Sequence, residues 1–137
     1  MTALVADASI LTKCLLPESG SQEAVGLCSA ADPLIAPDLV FSETANAVWK
    51  AVRRGRITRH HADRIQSVLL SASVTTLGLA ALTPTALSIA LEHDHPTYDC
   101  YYLAAAILHD CSLATADEQL YQLALRVGFG ERAILVR

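Results

Sequence analysis

Four acidic residues stand where a carboxylate does more than solvate a surface. Asp7 and Asp117 follow two short apolar runs, Ala3-Leu4-Val5-Ala6 and Ser112-Leu113-Ala114-Thr115, each of which reads as a buried strand. Asp99 lies in the first turn of a helix launched after Pro96, where a carboxylate suits the helix dipole. Glu43 falls three residues after Val40 and four before Ala47, so it shares the apolar face of its helix. An acid on that face is costly to bury unless it meets a cation. In α/β sheets, ligands gather outside the carboxyl ends of the strands. Four carboxylates crowded there repel one another and remain charged only around cations. Oxygen-only ligation suits Mg²⁺ or Mn²⁺ rather than zinc. Such ions activate water and stabilise the charge that builds on a phosphate, so the residues point to metal-dependent phosphodiester hydrolysis. Taken singly, Asp7 has a plainer reading as a helix cap, and Glu43 as a solvated helix residue.

The elements that must position these acids can be laid out in order. Ser9 is the expected N-cap of a helix over 10–16, ended by Pro17, and a second helix is expected over 19–31. Leu34-Ile35-Ala36 reads as a strand closed by Pro37. Asp38 can cap a helix to about position 54, stopped by Gly55, with Val40, Thr44, Ala47, Val48 and Ala51 as its inward stripe. Thr58 opens a helix to about 71, and Val74-Thr75-Thr76-Leu77 is a further strand. Thr83-Pro84 opens a helix to 91, with Pro84 in its first turn. Thr97 is the expected N-cap of the helix that carries Asp99, whose apolar body over 101–108 is too short to cross a membrane. A last helix over 118–127 stops at Gly128, and a strand over 133–136 follows. This alternation predicts an α/β fold over 1–137 as a single domain, with a central, mostly parallel sheet flanked by helices.

Composition narrows the field. Apolar residues are 53% and charged residues 18%, which excludes a disordered chain. A chain of 137 residues buries roughly 68% of its unfolded surface, enough for a core without staples. The apolar fraction is high for a lone monomer and hints at a covered partner surface. Ten basic against fourteen acidic residues give a net charge of −4, which does not advertise nucleic acid. The cations are clustered, however, in Lys50, Arg53, Arg54, Arg56, Arg59 and Arg64. Arg53-Arg54-Gly55-Arg56 forms a basic elbow that is either an ordinary solvated turn, a handle for a phosphate backbone, or a docking site for an acidic partner. Cys14, Cys28, Cys100 and Cys111 lack C-x-x-C spacing, and the first residues lack the pattern of a signal peptide. A cytoplasmic protein with reduced thiols is expected.

The ordered set Val5-Ala6-Asp7-Ala8-Ser9, then 42–50 around Glu43, then Tyr98-Asp99-Cys100-Tyr101-Tyr102-Leu103-Ala104, then Leu113-Ala114-Thr115-Ala116-Asp117 resembles PIN-domain proteins of the VapC toxin type. The resemblance spans nearly the whole chain. It implies an Mg²⁺- or Mn²⁺-dependent endoribonuclease that forms a homodimer and is held inactive by a cognate antitoxin. Asp7, Glu43, Asp99 and Asp117 match the family's acidic quartet, and Ser9 and Thr115 match small hydroxyl positions beside the metal. Some relatives carry a further acid just past the fourth; Glu118 is adjacent here but is not counted as a ligand. Arg53, Arg54 and Arg56 are candidate RNA contacts.

Other chemistries fit less well. His93-Asp94-His95 with Asp99 would suggest zinc, but no third nitrogen or sulfur ligand stands at a recognisable spacing. A phosphoacceptor domain needs adjacent acids after the first strand and a lysine near the last; Asp7 has no acidic neighbour, and no lysine follows Lys50. An aspartyl phosphatase would want a second Asp where Ser9 stands. A non-catalytic protein-binding module with a vestigial acidic site is the alternative from a different class.

Overall fold

Short apolar runs fully shielded on both faces can satisfy their backbone only in the middle of a sheet, and that is where the first and fourth strands lie. The structure is a computed structural model that describes residues 2–137. Its strands are β1 (Leu4–Ala6), β2 (Leu34–Pro37), β3 (Val74–Leu77), β4 (Ser112–Thr115) and β5 (Ala133–Leu135), in spatial order β3-β2-β1-β4-β5. Every pairing is parallel, with Leu4 opposite Leu34 on one side and Ser112 on the other. Val5, Ala6, Leu113 and Ala114 are completely buried, while β3 at one edge is partly exposed.

The helices are α1 (Ala8–Leu15), α2 (Ser21–Ala30), α3 (Leu39–Arg53), α4 (Arg59–Ser71), α5 (Leu79–His93), α6 (Thr97–Leu108) and α7 (Glu118–Arg126), with a short 3₁₀ turn at Gly130–Arg132. Crossovers between parallel strands are right-handed, so the helices linking β1 to β2 and β2 to β3 cover one face. The chain then returns past β1 to β4, which puts α5, α6 and α7 on the other face. α6 packs against β1, β2 and β4, and α1 gathers α2, α3 and α4 around it. No helix among the described residues is long and apolar enough to cross a membrane.

α6 is the central helix. Cys100, Tyr102, Leu103, Ala104, Ala105 and Ala106 are all buried, which matches a sequence apolar on every side. The alanines let the helix lie close to the strands, and Leu103 fills the remaining space. In α3, Val40, Thr44 and Ala51 of the expected stripe are buried, whereas Ala47 and Val48 are half-buried.

Three local expectations need correction. The N-cap of α1 is Asp7, not Ser9: Asp7 has extended backbone and its side chain accepts from the Ile10 N–H, while Ser9 lies inside the helix. Thr97 is the first residue of α6 and Pro96 its cap, since proline's fixed φ suits that position without a side-chain bond. α5 begins at Leu79, so Pro84 is inside it rather than in its first turn. Ala80, whose carbonyl loses its donor there, is exposed together with Pro84, so water can serve that carbonyl.

Two glycines with left-handed backbone offer a controlled comparison. Gly20 opens α2 at φ +84°, and an added Cβ would lie 2.9 Å from Val136 Cγ1 and 3.1 Å from the Arg137 backbone. Gly55 follows α3 at φ +73° with open space around it. The left-handed conformation costs an alanine about 1–2 kcal/mol at either place. Gly55→Ala is therefore expected to destabilise by about that amount, and Gly20→Ala by clearly more, because the methyl must also displace the chain's end. Denaturant unfolding of both variants checks this, and equal losses would mean that the contact with Val136 is irrelevant.

Candidate active site

The chain runs outward from β1 through β2 to β3 and then jumps back to β4, so β1 and β4 are neighbours whose connections leave in opposite directions. That reversal makes their carboxyl ends the switch point of the sheet, the place where a crevice for ligands is expected. Asp7 is the first residue after β1 and Asp117 the second after β4. Both cap the helices that follow: Asp117 accepts the Gln119 N–H at 2.9 Å, as Asp7 accepts that of Ile10 at 3.1 Å. Capping and site formation are thus the same event at both positions.

Asp7 is buried at 5% exposure and is held on both oxygens. The Ser9 hydroxyl donates to Oδ1 at 2.5 Å, and the Thr115 hydroxyl donates to Oδ2 at 2.5 Å. Those hydroxyls in turn accept backbone N–H groups, Ser9 from Ala116 at 2.8 Å and Thr115 from Asp117 at 2.9 Å. The carboxylate, two hydroxyls and two amides form one network that ties the end of β1 to the turn after β4. It also fixes the backbone of Asp117.

Glu43 and Asp99 enter from helices. Glu43, in the second turn of α3, accepts the Tyr102 hydroxyl on Oε1 at 2.6 Å. Tyr102 lies one turn after Asp99 in α6 and is 1% exposed, so it fixes α3 against α6 from inside the core. Asp99 accepts the His95 Nε2–H on Oδ2 at 2.8 Å, an i,i+4 contact made across the start of the helix. Sequence reasoning put His95 beside the acidic site without a bond to Asp99, and it missed Tyr102. A signal for Tyr102 was present: a tyrosine in a helix otherwise made of Leu and Ala needs a partner for its hydroxyl, and Asp99 three residues earlier marks the face.

The acids sense one another. Burial raises the pKa of Asp7 from 3.8 to about 6, partly offset by Ser9, Thr115 and the Ile10 N–H, with a smaller upward push from Asp117. Burial also raises Glu43, against the lowering effect of Tyr102, and Asp99 and Asp117 push it further up. Asp99 is raised by burial and by Asp117 and lowered by His95. Burying mutually repelling carboxylates is unfavourable without a cation. The donor set is all oxygen, and Glu43 Oε2, Asp99 Oδ1 and Asp117 Oδ2 accept no hydrogen bond among the described residues. That chemistry fits a hard dication. In their present positions, no three of the His, Cys, Asp or Glu side chains among the described residues converge into one coordination shell.

The arginines of the basic elbow make contacts of their own or face solvent. The Arg53 guanidinium stacks over Trp49 at 5.4 Å, and Arg56 pairs with Glu18 at 3.6 Å. Arg54 is exposed. None of these three arginines lines the cleft beside Glu43, whereas Lys50 does. Trp49 is 53% exposed, which places it outside the core. Glu118 accepts from Gln122 and pairs with Arg137. His93 ends α5, and His95 is engaged by Asp99. All four cysteines are free thiols, with Cys14 Sγ and Cys28 Sγ 3.7 Å apart.

Known proteins resemble this chain in sequence and in fold. The PIN domain family matches residues 4–125, a span that includes all four acids. Ribonuclease VapC3 of Pyrobaculum aerophilum is 33% identical over 119 residues, covering 85% of this chain and 91% of the relative. Among solved structures, PAE2754 from Pyrobaculum aerophilum aligns with a TM-score of 0.68 at 26% identity, over 89% of this chain and 79% of that one. A toxin–antitoxin complex from Klebsiella pneumoniae shares the fold with a TM-score of 0.65 at 17% identity, over 87% of this chain and 90% of that one. The chain belongs to the PIN domain family and is of the VapC type.

Proposed function

We propose that this protein is a metal-dependent endoribonuclease and the toxin of a toxin–antitoxin pair, with residues 1–137 acting as one nuclease domain. The observation that carries the reading is the set of four carboxylates around the β1/β4 crevice, each oriented by its own partner. The similarity to Ribonuclease VapC3 supports it. Asp7, Asp99 and Asp117 would hold Mg²⁺ or Mn²⁺, with Glu43 completing the site. Such an ion would supply a Lewis acid for the phosphate and lower the pKa of water.

The chain's own residues supply orientation. Ser9 and Thr115 keep both Asp7 oxygens fixed, and through the Asp117 N–H they position the second acid as well. Tyr102 holds one Glu43 oxygen and leaves the other without a donor. His95 does the same for Asp99. Such outer contacts typically change affinity or rate by about 10–100-fold when removed.

Partners follow from the same reading. A toxin–antitoxin complex among the structural neighbours supports a cognate antitoxin. A basic antitoxin side chain entering the acidic crevice would neutralise it and exclude metal. Exposed Leu70, Leu87 and Leu91 suit a homodimer or an antitoxin contact. On this reading the protein works in the cytoplasm, where RNA is found.

The central test is cleavage of a structured RNA panel by antitoxin-free protein with Mg²⁺, with Mn²⁺ and with EDTA. Asp7→Asn and Asp99→Asn should reduce metal-dependent cleavage to background, and Tyr102→Phe should slow it by about 10–100-fold. Equal cutting by wild type and Asp7→Asn would trace the activity to a contaminant. No cutting of any RNA by wild type would favour a binding-only module.

Unfolding gives an independent readout. Because the folded state raises the Asp7 pKa to about 6, it binds that proton more tightly than the unfolded chain does. Stability therefore falls as pH rises from about 4 through about 6, and Glu43 and Asp99 are shifted with the same sign. Metal-free protein should melt higher at pH 5 than at pH 7.5. Mg²⁺ should raise Tm at pH 7.5 and much less at pH 5, since ligation needs the ionised form. Asp7→Asn should flatten both responses; a wild-type Tm indifferent to Mg²⁺ at pH 7.5 counts against the metal.

A further inference from the structure

A cleft of about 370 Å³ opens beside Glu43, between α3 and the start of α6, and takes no part in orienting the acids. On α3, Glu43, Asn46 and Lys50 line it at i, i+3 and i+7, so they form one stripe on the helix surface. The stripe carries the cleft two helical turns, about 10 Å, away from the carboxylates. Tyr98 forms the opposite wall and is the chain neighbour of Asp99.

The side chains of Tyr98, Lys50 and Asn46 are unspent. Tyr98 is 62% exposed, a large aromatic surface left in water. The Lys50 ammonium has no carboxylate within ion-pair distance among the described residues, whereas Arg56, Arg59, Arg132 and Arg137 each have one. Asn46 is exposed and offers both donors and an acceptor. An aromatic face, an amide and a lone cation suit one ligand class, an unpaired nucleotide. Its base stacks on the ring, its edge meets the amide, and a phosphate meets the cation. A base inside a duplex has its faces covered and cannot use the ring. The volume is also that of a small-ligand site.

Resting on the nuclease reading above, we propose that this cleft seats an unpaired RNA nucleotide flanking the scissile phosphate, with its base on Tyr98 and a neighbouring phosphate at Lys50. The division of charge has a physical reason. The acids repel RNA, so a strand reaching them needs a cation placed outside the catalytic cluster, and Lys50 stands there. Tyr98 and Lys50 then set how the strand lies and favour loops over helices.

The test is fluorescence anisotropy of a labelled, unstructured RNA hexamer with wild type and with Tyr98→Ala, Tyr98→Phe and Lys50→Ala, in EDTA so that nothing is cleaved. Tyr98→Ala should weaken binding about tenfold or more, and Tyr98→Phe should bind within about twofold of wild type. Lys50→Ala should weaken binding and flatten the log–log salt dependence by about 0.7. A hairpin without unpaired bases should bind alike to wild type and Tyr98→Ala. Hexamer affinity equal in all four proteins, or too weak to measure in wild type, would overturn the proposal. So would loss of self-association in Tyr98→Ala with hexamer binding intact, which would assign the ring to a second copy of the chain. Hexamer binding with no cleavage in Mg²⁺ would retire the nuclease reading and leave the subsite. Cleavage with an unchanged KM in the variants would do the reverse.

Discussion

One constraint organises this molecule: Asp7 is a carboxylate at the end of the most buried strand, and it must be satisfied without leaving the sheet. The chain meets that demand with groups drawn from both sides of the β1/β4 junction. The Ile10 N–H comes from the helix after β1, Ser9 from the same turn, and Thr115 from the last position of β4. Because the two hydroxyls also accept the Ala116 and Asp117 amides, the turn after β4 is fixed by the charge at the end of β1. Strand order, helix capping and the position of the second acid therefore share one network. Its members are all short-range, low-entropy groups, which suits a site that must hold its shape against repulsion.

That repulsion is the second theme. Burial and like charge both raise the pKa values of Asp7, Glu43 and Asp99, so gathering these carboxylates is by itself electrostatically unfavourable. Hydrogen bonds from Ser9, Thr115, Tyr102 and His95 lower that cost without removing it. What they accomplish is direction, since each bond leaves oxygen lone pairs facing away from its donor. A cluster of this kind has more to gain from a hard cation than an exposed one would.

α6 joins the site to the core. Its alanine-rich body packs on three strands, while its first turns carry Asp99 and Tyr102. Tyr102 is a core residue by burial and a site residue by its bond to Glu43. Substitutions along this helix therefore cannot be sorted cleanly into stability and function. α3 is coupled in the same way, with Val40 and Thr44 in the core and Glu43 beside them at the crevice.

Much was legible in order along the chain. Apolar runs of three or four residues alternating with helical stretches announce a parallel sheet, because such runs must be covered on both faces. Acids placed just after those runs announce the crevice, because a strand's carboxyl end and a helix's amino end meet there. Local punctuation was less secure. Asp7 outcompeted Ser9 as cap because its carboxylate reaches the Ile10 N–H from the extended position, and α5 began a turn before Pro84 because one lost hydrogen bond on an exposed face is tolerable. Tertiary structure alone decided which side chains meet across long separations. Tyr102 with Glu43 and Thr115 with Asp7 are 59 and 108 residues apart, and no spacing rule links them. The basic elbow was conspicuous in sequence, yet folding ties Arg53 to Trp49 and Arg56 to Glu18 and leaves Lys50 at the cleft. Sequence periodicity determines which face a residue occupies, because backbone geometry is local; what that face meets depends on packing, which is not.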